Sequence, residues 1–512
     1  MSTGETPSHG LPPVWLLISL QAVVSAASLV VEIVAGRMLA PYLGMSIYTW
    51  TSVIAVVLAG FSAGHWAGGI IAGQDPARSL RLNGWAMAGA ALFTASALFI
   101  LRWAAALILP RTENPLMAII LITSLVFFIP SFMAGIPAPV LARIAVLKDE
   151  RGAGRALGGI FAAGAFGAIA GTLAAGFVFI SWLGTTGTLA AVTIAYLACA
   201  AASFLSSGRI ETRILPVILM ALLVPAATAL AAVRAPVVCE FESRYFCIRT
   251  VDVSAERGAA AKLMVLDHLA HGISYRDTSQ RMGTPHAALL ELLARQRMDG
   301  RDFSAFFIGG GSYSIPRAWE EIEAVSSMTV AEIDPAVTTI ARNQFWFKPV
   351  KTSVLDGDAR LALRSDETRY DVIIGDAFTD IAVPQHLVTR EFFALVRSRL
   401  KDDGIYLMNI VDHAGRLAAL SAVVRTLQET FPIFEVWTER ENTGDRIVFI
   451  VLAGQTASNF TTVSEANFGF GNPPRSFSRI KAESVSSLIA KLDPPLLTDD
   501  YAPIDRLMGP LD

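Results

Sequence analysis

Charge is the scarcest property of this chain. Only 17% of its 512 residues are Asp, Glu, Lys or Arg, where about a quarter is usual in soluble proteins, and 53% are hydrophobic, with a mean hydropathy of +0.50. That balance excludes an ordinary soluble protein of this length. Cysteine is rarer still. Cys199, Cys239 and Cys247 are the whole complement, too few for a disulfide framework and without the spacing of a structural zinc site, and no His/Cys/Asp cluster elsewhere has ligand spacing, so no metal is expected. Cys239 and Cys247 are placed to bridge a hairpin, but in a cytosol-facing domain two reduced, half-buried thiols are the expected state. A basic excess is also missing: the formal net charge is −3, which excludes the electrostatic footprint of a nucleic-acid binder.

The charge that exists is unevenly placed. Residues 1–235 hold 12 Lys and Arg against 7 Asp and Glu (net +5), and residues 236–512 hold 29 against 37 (net −8). Apolar runs of about 20 residues, enough for a ~30 Å hydrocarbon core, fall near 14–36, 47–73, 84–109, 115–145, 157–183, 186–206 and 213–233. Seven spans are expected, studded with small residues such as Gly164, Gly167 and Gly171 that let helices approach closely. The first run lacks a basic leader and is followed by six of its kind, so it is not read as a cleaved signal. Glu32, His65 and Arg102 sit inside runs, and an ionisable group in lipid is a functional candidate by default because its insertion is costly. Pairing of Glu32 with Arg37 and snorkelling of Arg102 are the plainer alternatives.

With the N-terminus inside and seven spans, inner loops collect Arg78, Arg81, Arg143, Lys148, Arg151, Arg155, Arg209 and Arg213. That is a positive-inside pattern which puts the acidic domain outside. A domain that draws on a metabolite made inside cells would require the opposite. An eighth crossing or a re-entrant piece within the proline-broken 115–145 run would reconcile the two, and a cytosol-facing acidic domain is the expectation adopted on that ground.

The acidic part carries the chemistry. Ala305 to Ile308 is an apolar, aromatic run suited to a strand buried on both faces, broken at Gly309-Gly310-Gly311 before a helix-like segment reaching Val325. Met328 to Ala331 ends at Glu332, where a doubly wound sheet grips ribose hydroxyls. Ser353 to Leu355 leads into Asp356-Gly357-Asp358-Ala359, and Tyr370 to Gly375 ends at Asp376. Four strand tips thus converge on one crevice, a pocket for an adenosyl nucleoside. A phosphate loop would need Gly-Lys-Ser/Thr, and no lysine follows Gly311; a nicotinamide fingerprint would need glycine where Ser314 stands. Acidic strand ends placed for solubility alone are the bland alternative. Between the two parts, Val237 to Val253 and Lys262 to Leu266 read as a small antiparallel hairpin sheet, with a helix from about Pro285 to Met298.

Glu242 to Tyr245, Leu263 to Asp267, His271-Gly272, the glycine triplet, Glu332 to Pro335, Gly357 to Arg360, Tyr370 to Phe378, Pro384 to Phe393 and Leu497 to Pro503 together resemble the spermidine synthase (aminopropyltransferase) family. The N-terminal half is similar to the membrane module of its bacterial membrane-fused variety. The resemblance implies a multi-span α-helical membrane bundle (13–235, after a tail at 1–12) fused to an α/β Rossmann-like, class I methyltransferase-type domain (301–455). A β-hairpin subdomain with a linker helix (236–300) and a C-terminal segment packed on the catalytic domain (456–512) complete it. It further implies a multi-pass protein of the bacterial cell membrane. Gly309, Gly310 and Gly311 would approach the methionine-derived chain of the donor, Glu332 its ribose, and Asp358 with Ala359 its adenine. Asp376 matches the catalytic aspartate, and His271, Tyr275 and Asp380 fall on the acceptor side. The co-substrate would be S-adenosylmethionine or its decarboxylated form, and the partners a small amine, membrane lipid and, since soluble relatives commonly associate, a second copy.

Several positions depart from the family pattern. Ser312 replaces the aspartate after the glycine turn, Ser274 the glutamine of the hairpin motif, and Pro285-His286 a tyrosine–histidine pair; Asp380 stands four residues after Asp376 rather than three. A long polycation loses contacts, and loss of the aspartate at 312 removes a charge that would repel a donor carboxylate. Three functions follow: transfer to a polyamine or other amine, intramolecular cyclisation or lysis of the donor, and polyamine or lipid transport or sensing with a nucleoside-binding domain.

Overall fold

Apolar runs this long, rich in alanine and leucine, bury best as helices that satisfy their own backbone bonds. In the computed structural model, which describes residues 11–112, 114–208, 212–378, 382–440, 444–466 and 474–508, they form α1 (Val14–Leu43), α2 (Ile47–Ala72), α3 (Pro76–Ile108), α4 (Pro115–Gly135), α5 (Pro137–Lys148), α6 (Ala153–Ala174), α7 (Ile180–Ser206) and α8 (Leu215–Arg234). Among the described residues, six helical stretches are long and apolar enough to cross a membrane. The longest, Ala153–Ser206, runs 54 residues through a π-helical turn at Ala175–Phe179 and breaks at Gly184, whose φ of 65° and ψ of −179° leave the helical region. Glycine is needed there because a side chain disfavours that geometry.

Small residues set the helix pairs, as expected where packing drives association. Methyl groups on Gly60, Gly64 and Gly68 would collide with the Phe128–Ser131, Phe132–Gly135 and Ile136–Pro139 levels of the following segment, so α2 and α4 run parallel. Gly159, Gly167 and Gly171 meet Ile18, Ala22 and Ala26 in the same sense, so α6 is parallel to α1. Two buried polar contacts join the bundle across long sequence distances: Ser28 Oγ with Tyr196 Oη at 3.0 Å, and Asn83 Nδ2 donating to Ser203 Oγ at 3.0 Å. The 115–145 run divides at Pro137, but α5 has 12 residues, about 18 Å, too short to cross. The eighth span is therefore not formed.

The chain separates into two units, Met1–Val238 and Cys239–Asp512. The second opens with a four-stranded antiparallel sheet of β1 (Phe241–Glu242), β2 (Cys247–Asp252), β3 (Ala261–Leu266) and β4 (Leu269–Tyr275), with a single helical turn, α9 (Ser254–Arg257), between β2 and β3. Cys239 and Cys247 form a disulfide rather than the expected pair of thiols. The register Glu242↔Cys247 returns the chain so that the two Cα atoms lie 5.1 Å apart, within bridging range.

Then follow α10 (Pro285–Met298), β5 (Phe303–Ile308), α11 (Ser314–Glu320), β6 (Val325–Glu332), α12 (Pro335–Gln344), β7 (Thr352–Asp356), α13 (Ala359–Ser365), β8 (Tyr370–Gly375), α14 (Arg390–Ser398), β9 (Leu400–His413) and α15 (Ala418–Gln428). The remainder is β10 (Ile433–Glu439), β11 (Arg446–Gly454), β12 (Thr462–Ser464), β13 (Ser476–Arg479), α16 (Ala482–Leu492) and α17 (Ile504–Met508). The segment after the glycine triplet is shorter than the sequence suggests: α11 ends at Glu320, and Val325 already pairs in parallel with Phe303 as the first residue of β6. The sheet runs β12-β13-β10-β11-β9-β8-β5-β6-β7, with β7, β6, β5, β8 and β9 parallel. Strand order reverses between β5 and β8, which makes their carboxyl ends the natural crevice for a ligand.

Candidate active site

β5 has no polar side chain beyond Ser304 and is buried along its whole length, so it delivers the glycine triplet at a fixed height. Gly309 and Gly311 adopt φ of 91° and 51°. A Cβ on Gly309 would lie 2.7 Å from the Asp376 carbonyl oxygen, and one on Gly310 would enter the Tyr313 ring at 2.4 Å. The Tyr313 ring is held by stacking on Phe347 at 4.4 Å and by a hydroxyl contact with Thr338 at 2.6 Å. Bare backbone is therefore required on both sides of the turn.

Glu332 closes the next strand and is buried. Its Oε2 accepts from Gly310 N at 2.8 Å and its Oε1 from Asp334 N at 3.0 Å. Burial holds its carboxyl above the ordinary range, opposed by those backbone bonds. A carboxylate has about four acceptor positions, and with backbone bonds from Asp334, Gly310 and Gly311 acting on Glu332, capacity remains for a ligand hydroxyl. Asp334 turns away to cap α12 through Ala336 N at 3.0 Å.

Asp376 begins the loop after β8, with its N–H on Ile308 O at 3.0 Å. Asn409 Nδ2 on β9 donates to its Oδ1 at 2.8 Å, and His286 Nε2 stands 3.9 Å from its Oδ2. Asn409 Oδ1 is buried with no partner among the described residues. His271 is half-buried beside this group, its pKa pushed down to about 4 by desolvation and by the neighbouring His286 and His268, with Asp376 opposing. It is a neutral imidazole at pH 7.

The hydroxyls of Ser274, Ser312 and Ser314 form a connected cluster between β4 and the glycine turn, with Ser312 Oγ and Ser314 Oγ 2.6 Å apart and Ser274 Oγ 3.3 Å from Ser314 Oγ. Tyr275 lies away from these groups, packed with Val253, Ala261 and Ile273 and covered by the Arg281 guanidinium at 4.1 Å. Asp380 lies outside the described residues. Glu32 is half-buried within α1.

Gly309, Gly310, Glu332 and Asp376 are thus joined by direct contact, and Gly357 N donates to Glu332 O at 2.8 Å. Asp358 is one step removed. Its Oδ1 caps α13 through Leu361 N at 2.8 Å, its Oδ2 meets His386 Nε2 at 2.7 Å, and it borders an open cavity of about 450 Å³ with Leu355, Asp356, Gly357 and Ala362. Glu332 and Asp376 do not line that cavity. Ala359 is the first residue of α13 and buried. His386 is tied into the C-terminal segment through its carbonyl, which accepts from Arg360 at 3.0 Å, while Arg360 also forks onto Asp499 at 2.7 and 2.6 Å. That pairing pulls the Asp499 carboxyl down to about 2. Among the described residues no three His, Cys, Asp or Glu side chains are arranged to hold a metal ion.

Asn409 and the His386–Asp358 pair are contacts of the candidate site that the motif reading does not reveal. Asn409 had a visible signal. It is the one amide in the buried run Ile405 to Ile410, and a buried polar side chain in a central strand needs a partner.

A spermine/spermidine synthase domain model matches residues 303–459. A polyamine aminopropyltransferase of Vibrio vulnificus (strain CMCP6) is 30% identical over 206 residues, covering 39% of this chain and 68% of that protein. The chain belongs to the spermidine synthase family. This spermidine synthase relative is also 27% identical over 218 residues to a probable polyamine aminopropyl transferase of Bifidobacterium longum (strain NCC 2705), covering 40% of the chain and 48% of that protein. Among solved structures, a probable spermidine synthase from Corynebacterium glutamicum ATCC 13032 aligns at a TM-score of 0.42 and 20% identity over 52% of this chain and 96% of that one. The present family member is accordingly an enzyme, a transferase of the aminopropyltransferase kind.

The half-buried His271 of this spermidine synthase homologue carries a stability signature. Between pH 6.5 and about 4 the unfolded chain binds a proton that the folded chain refuses, so this contribution is complete above 6.5 and lost as pH falls through that window. The loss is of order 3 kcal/mol by the usual conversion of a pKa difference. In thermal scans of the detergent-solubilised protein, the drop in melting temperature from pH 7 to 4.5 should shrink in His271→Gln; an unchanged drop would show that His271 protonates freely.

Proposed function

We propose that this protein is an integral-membrane, aminopropyltransferase-like enzyme. It would use S-adenosylmethionine or its decarboxylated form, release methylthioadenosine, and transfer the carbon chain to a polyamine or another amine. The observation that carries this reading is the position of Asp376: a half-buried carboxylate oriented by Asn409 and His286, with its carbonyl against Gly309. The sulfonium supplies a carbon already bonded to a good leaving group. The chain's own residues have to align a nucleophile and keep it unprotonated, since an ammonium has no lone pair.

In this reading Glu332 holds the ribose hydroxyls, and the turn at Gly309–Gly311 lets the sulfur-bearing chain lie against backbone. Asp358 accepts from the adenine amine while sharing its Oδ2 with His386. Asp376 takes the proton from the attacking amine, an acid–base contribution worth about 10²–10⁴, and the buried Asn409 oxygen supplies a second acceptor for an N–H. Neutral His271 adds no positive charge that would repel a cationic donor. Alignment of the two reactants contributes more, about 7–11 kcal/mol in well-oriented systems.

Membrane insertion is supported by the six apolar stretches and by large side chains exposed on the bundle, among them Trp66 (74%), Phe166 (72%), Phe177 (77%) and Trp182 (83%). Large exposed apolar side chains of this kind are suited to lipid. The organism's cell membrane is the location this implies.

A second reading is favoured by the serine cluster. Ser312, hydrogen-bonded with Ser314 and Ser274, presents an uncharged hydroxyl where the family resemblance places an acid, so a donor that keeps its carboxylate is accommodated, and ring closure or lysis of that donor needs no acceptor. Purified protein given each donor, with and without putrescine, decides between them. Methylthioadenosine release stimulated by putrescine supports transfer; release indifferent to putrescine supports cyclisation or lysis. No release from either donor with any amine tested would remove the enzyme assignment of this site.

A further inference from the structure

The helix directions and the disulfide bear jointly on which compartment the catalytic unit occupies. The bundle has two ends. α1 begins at the first end, and the short turn at 44–46 returns α2 to it, where Ser79 Oγ donates to Ile71 O at 2.8 Å across the α2–α3 turn. α3 leads to the second end, and α4, parallel to α2, comes back. α6, parallel to α1, leaves the first end again.

The direction of α7 follows from two contacts. Gly171 lies beside Ala26, and 13 more residues to Gly184 carry the helix about 20 Å beyond that level. Twelve residues later Tyr196 is back beside Ser28, and Ser203 reaches Asn83 near the start of α3. The chain therefore reverses at Gly184 and returns to the first end. α8 crosses once more, and Pro236 just after it accepts a hydrogen bond from Arg102 near the far end of α3. The count of crossings is seven among the described residues, and the chain leaves the bundle at the end opposite to its N-terminus.

Cations mark the two ends differently. Arg78 and Arg81 lie at the α2–α3 turn, and Arg143, Lys148, Arg151 and Arg155 around the α5–α6 turn. With Arg213 before α8, the first end holds seven of the eleven cations among the described residues of the bundle. Arg37, Arg102, Arg111 and Arg234 remain for the second. The basic end of a multi-span protein stays in the cytoplasm. Three residues past Pro236, Cys239 is bonded to Cys247, and such a bond persists in an oxidising compartment but not in a reducing cytosol.

We propose that the chain emerges on the extracytoplasmic face of the cell membrane, so that the catalytic unit acts there on an amine of that space or of the outer leaflet. This rests on the membrane-spanning reading given above and replaces the cytosol-facing expectation drawn from donor supply. However the second unit is posed, its chain starts on that face. An adenosyl sulfonium made in the cytoplasm then has to be delivered by a transport step ahead of this reaction.

The full-length protein tests this with two exposed positions outside the site, Val350 (88% exposed) in the catalytic unit and Arg151 in the α5–α6 turn. Intact spheroplasts carrying Val350→Cys or Arg151→Cys are treated with a membrane-impermeant maleimide. Val350→Cys should label at once, and Arg151→Cys only after permeabilisation; the reverse pattern overturns the proposal. In cells quenched with acid, Cys239 and Cys247 should resist alkylation until reduced, and free reaction of both thiols would also overturn it. Extraction of the protein from membranes by alkaline carbonate would instead defeat the membrane reading on which the orientation rests.

Discussion

Asp376→Asn is expected to lower turnover about 10²–10⁴-fold, the range for loss of a positioned general base, while donor affinity stays within a few-fold of wild type. The asymmetry follows from the contacts of the carboxylate. Its Oδ1 accepts from Asn409 Nδ2, and an asparagine oxygen keeps that bond. The backbone N–H on Ile308 O and the carbonyl against Gly309 do not depend on the side chain. The glycine turn and the Glu332 bonds should therefore survive. What disappears is the second oxygen, the one facing His286, with its charge and its capacity to take a proton. Single-turnover release of methylthioadenosine, together with calorimetric binding of methylthioadenosine, separates the two quantities. Equal loss of binding and turnover would make Asp376 a structural acid of the loop. Transport that survives Asp376→Asn but fails in Glu32→Gln would favour the transporter alternative.

β5 and β8 were legible because each is a short, largely apolar run ended by glycine, and burial on both faces leaves little room for polar alternation. Tyr370 to Gly375 is the clearest case, since its sequence run and its observed strand coincide. The bundle was legible for the same reason at greater length. Turns were harder. The helix after the glycine triplet stops at Glu320 because Val325 is claimed by pairing with Phe303, a tertiary demand that local propensity does not express. The fourth strand of the antiparallel sheet, Leu269–Tyr275, was hidden because His271-Gly272 interrupts its apolar pattern. Those two residues are where the sheet reaches the glycine turn: a Cβ on Gly272 would lie 2.1 Å from Ser312 Oγ.

Within the site, sequence reading found the acids but not what holds them. Glu332 and Asp376 stand at strand ends, and their position can be inferred from strand length alone. Asn409 reaches Asp376 from a strand 33 residues later, and His386 reaches Asp358 across 28. Such pairings depend on which strands are neighbours in the sheet, here β8 beside β9. The disulfide illustrates the same dependence, because the register of β1 against β2 decides it and the cysteine count does not.

Glu332→Gln should produce the opposite kinetic pattern to Asp376→Asn, a donor KM raised about 10²-fold with turnover changed only a few-fold. Both Glu332 oxygens already accept backbone N–H bonds, one from Gly310 and one from Asp334. Glutamine has a single oxygen, so one of those N–H groups would face an amide donor, at a cost of about 1–3 kcal/mol for the unsatisfied group. Relief of a buried charge, which holds the carboxyl above its ordinary range, offsets part of that loss, and the melting temperature should fall by only a few degrees. Binding has no such offset. On the proposed reading the ribose loses a charged acceptor, and hydrogen bonds to charged groups contribute about 1.5–3 kcal/mol each, which makes a hundredfold weakening the natural scale. Because the remote ribose contact is made equally before and during reaction, it governs KM rather than the rate of the bound complex. Steady-state kinetics with the donor varied at saturating amine give both constants in one experiment. A variant with normal KM and collapsed turnover would mean that Glu332 braces the catalytic loop and that the nucleoside is gripped elsewhere.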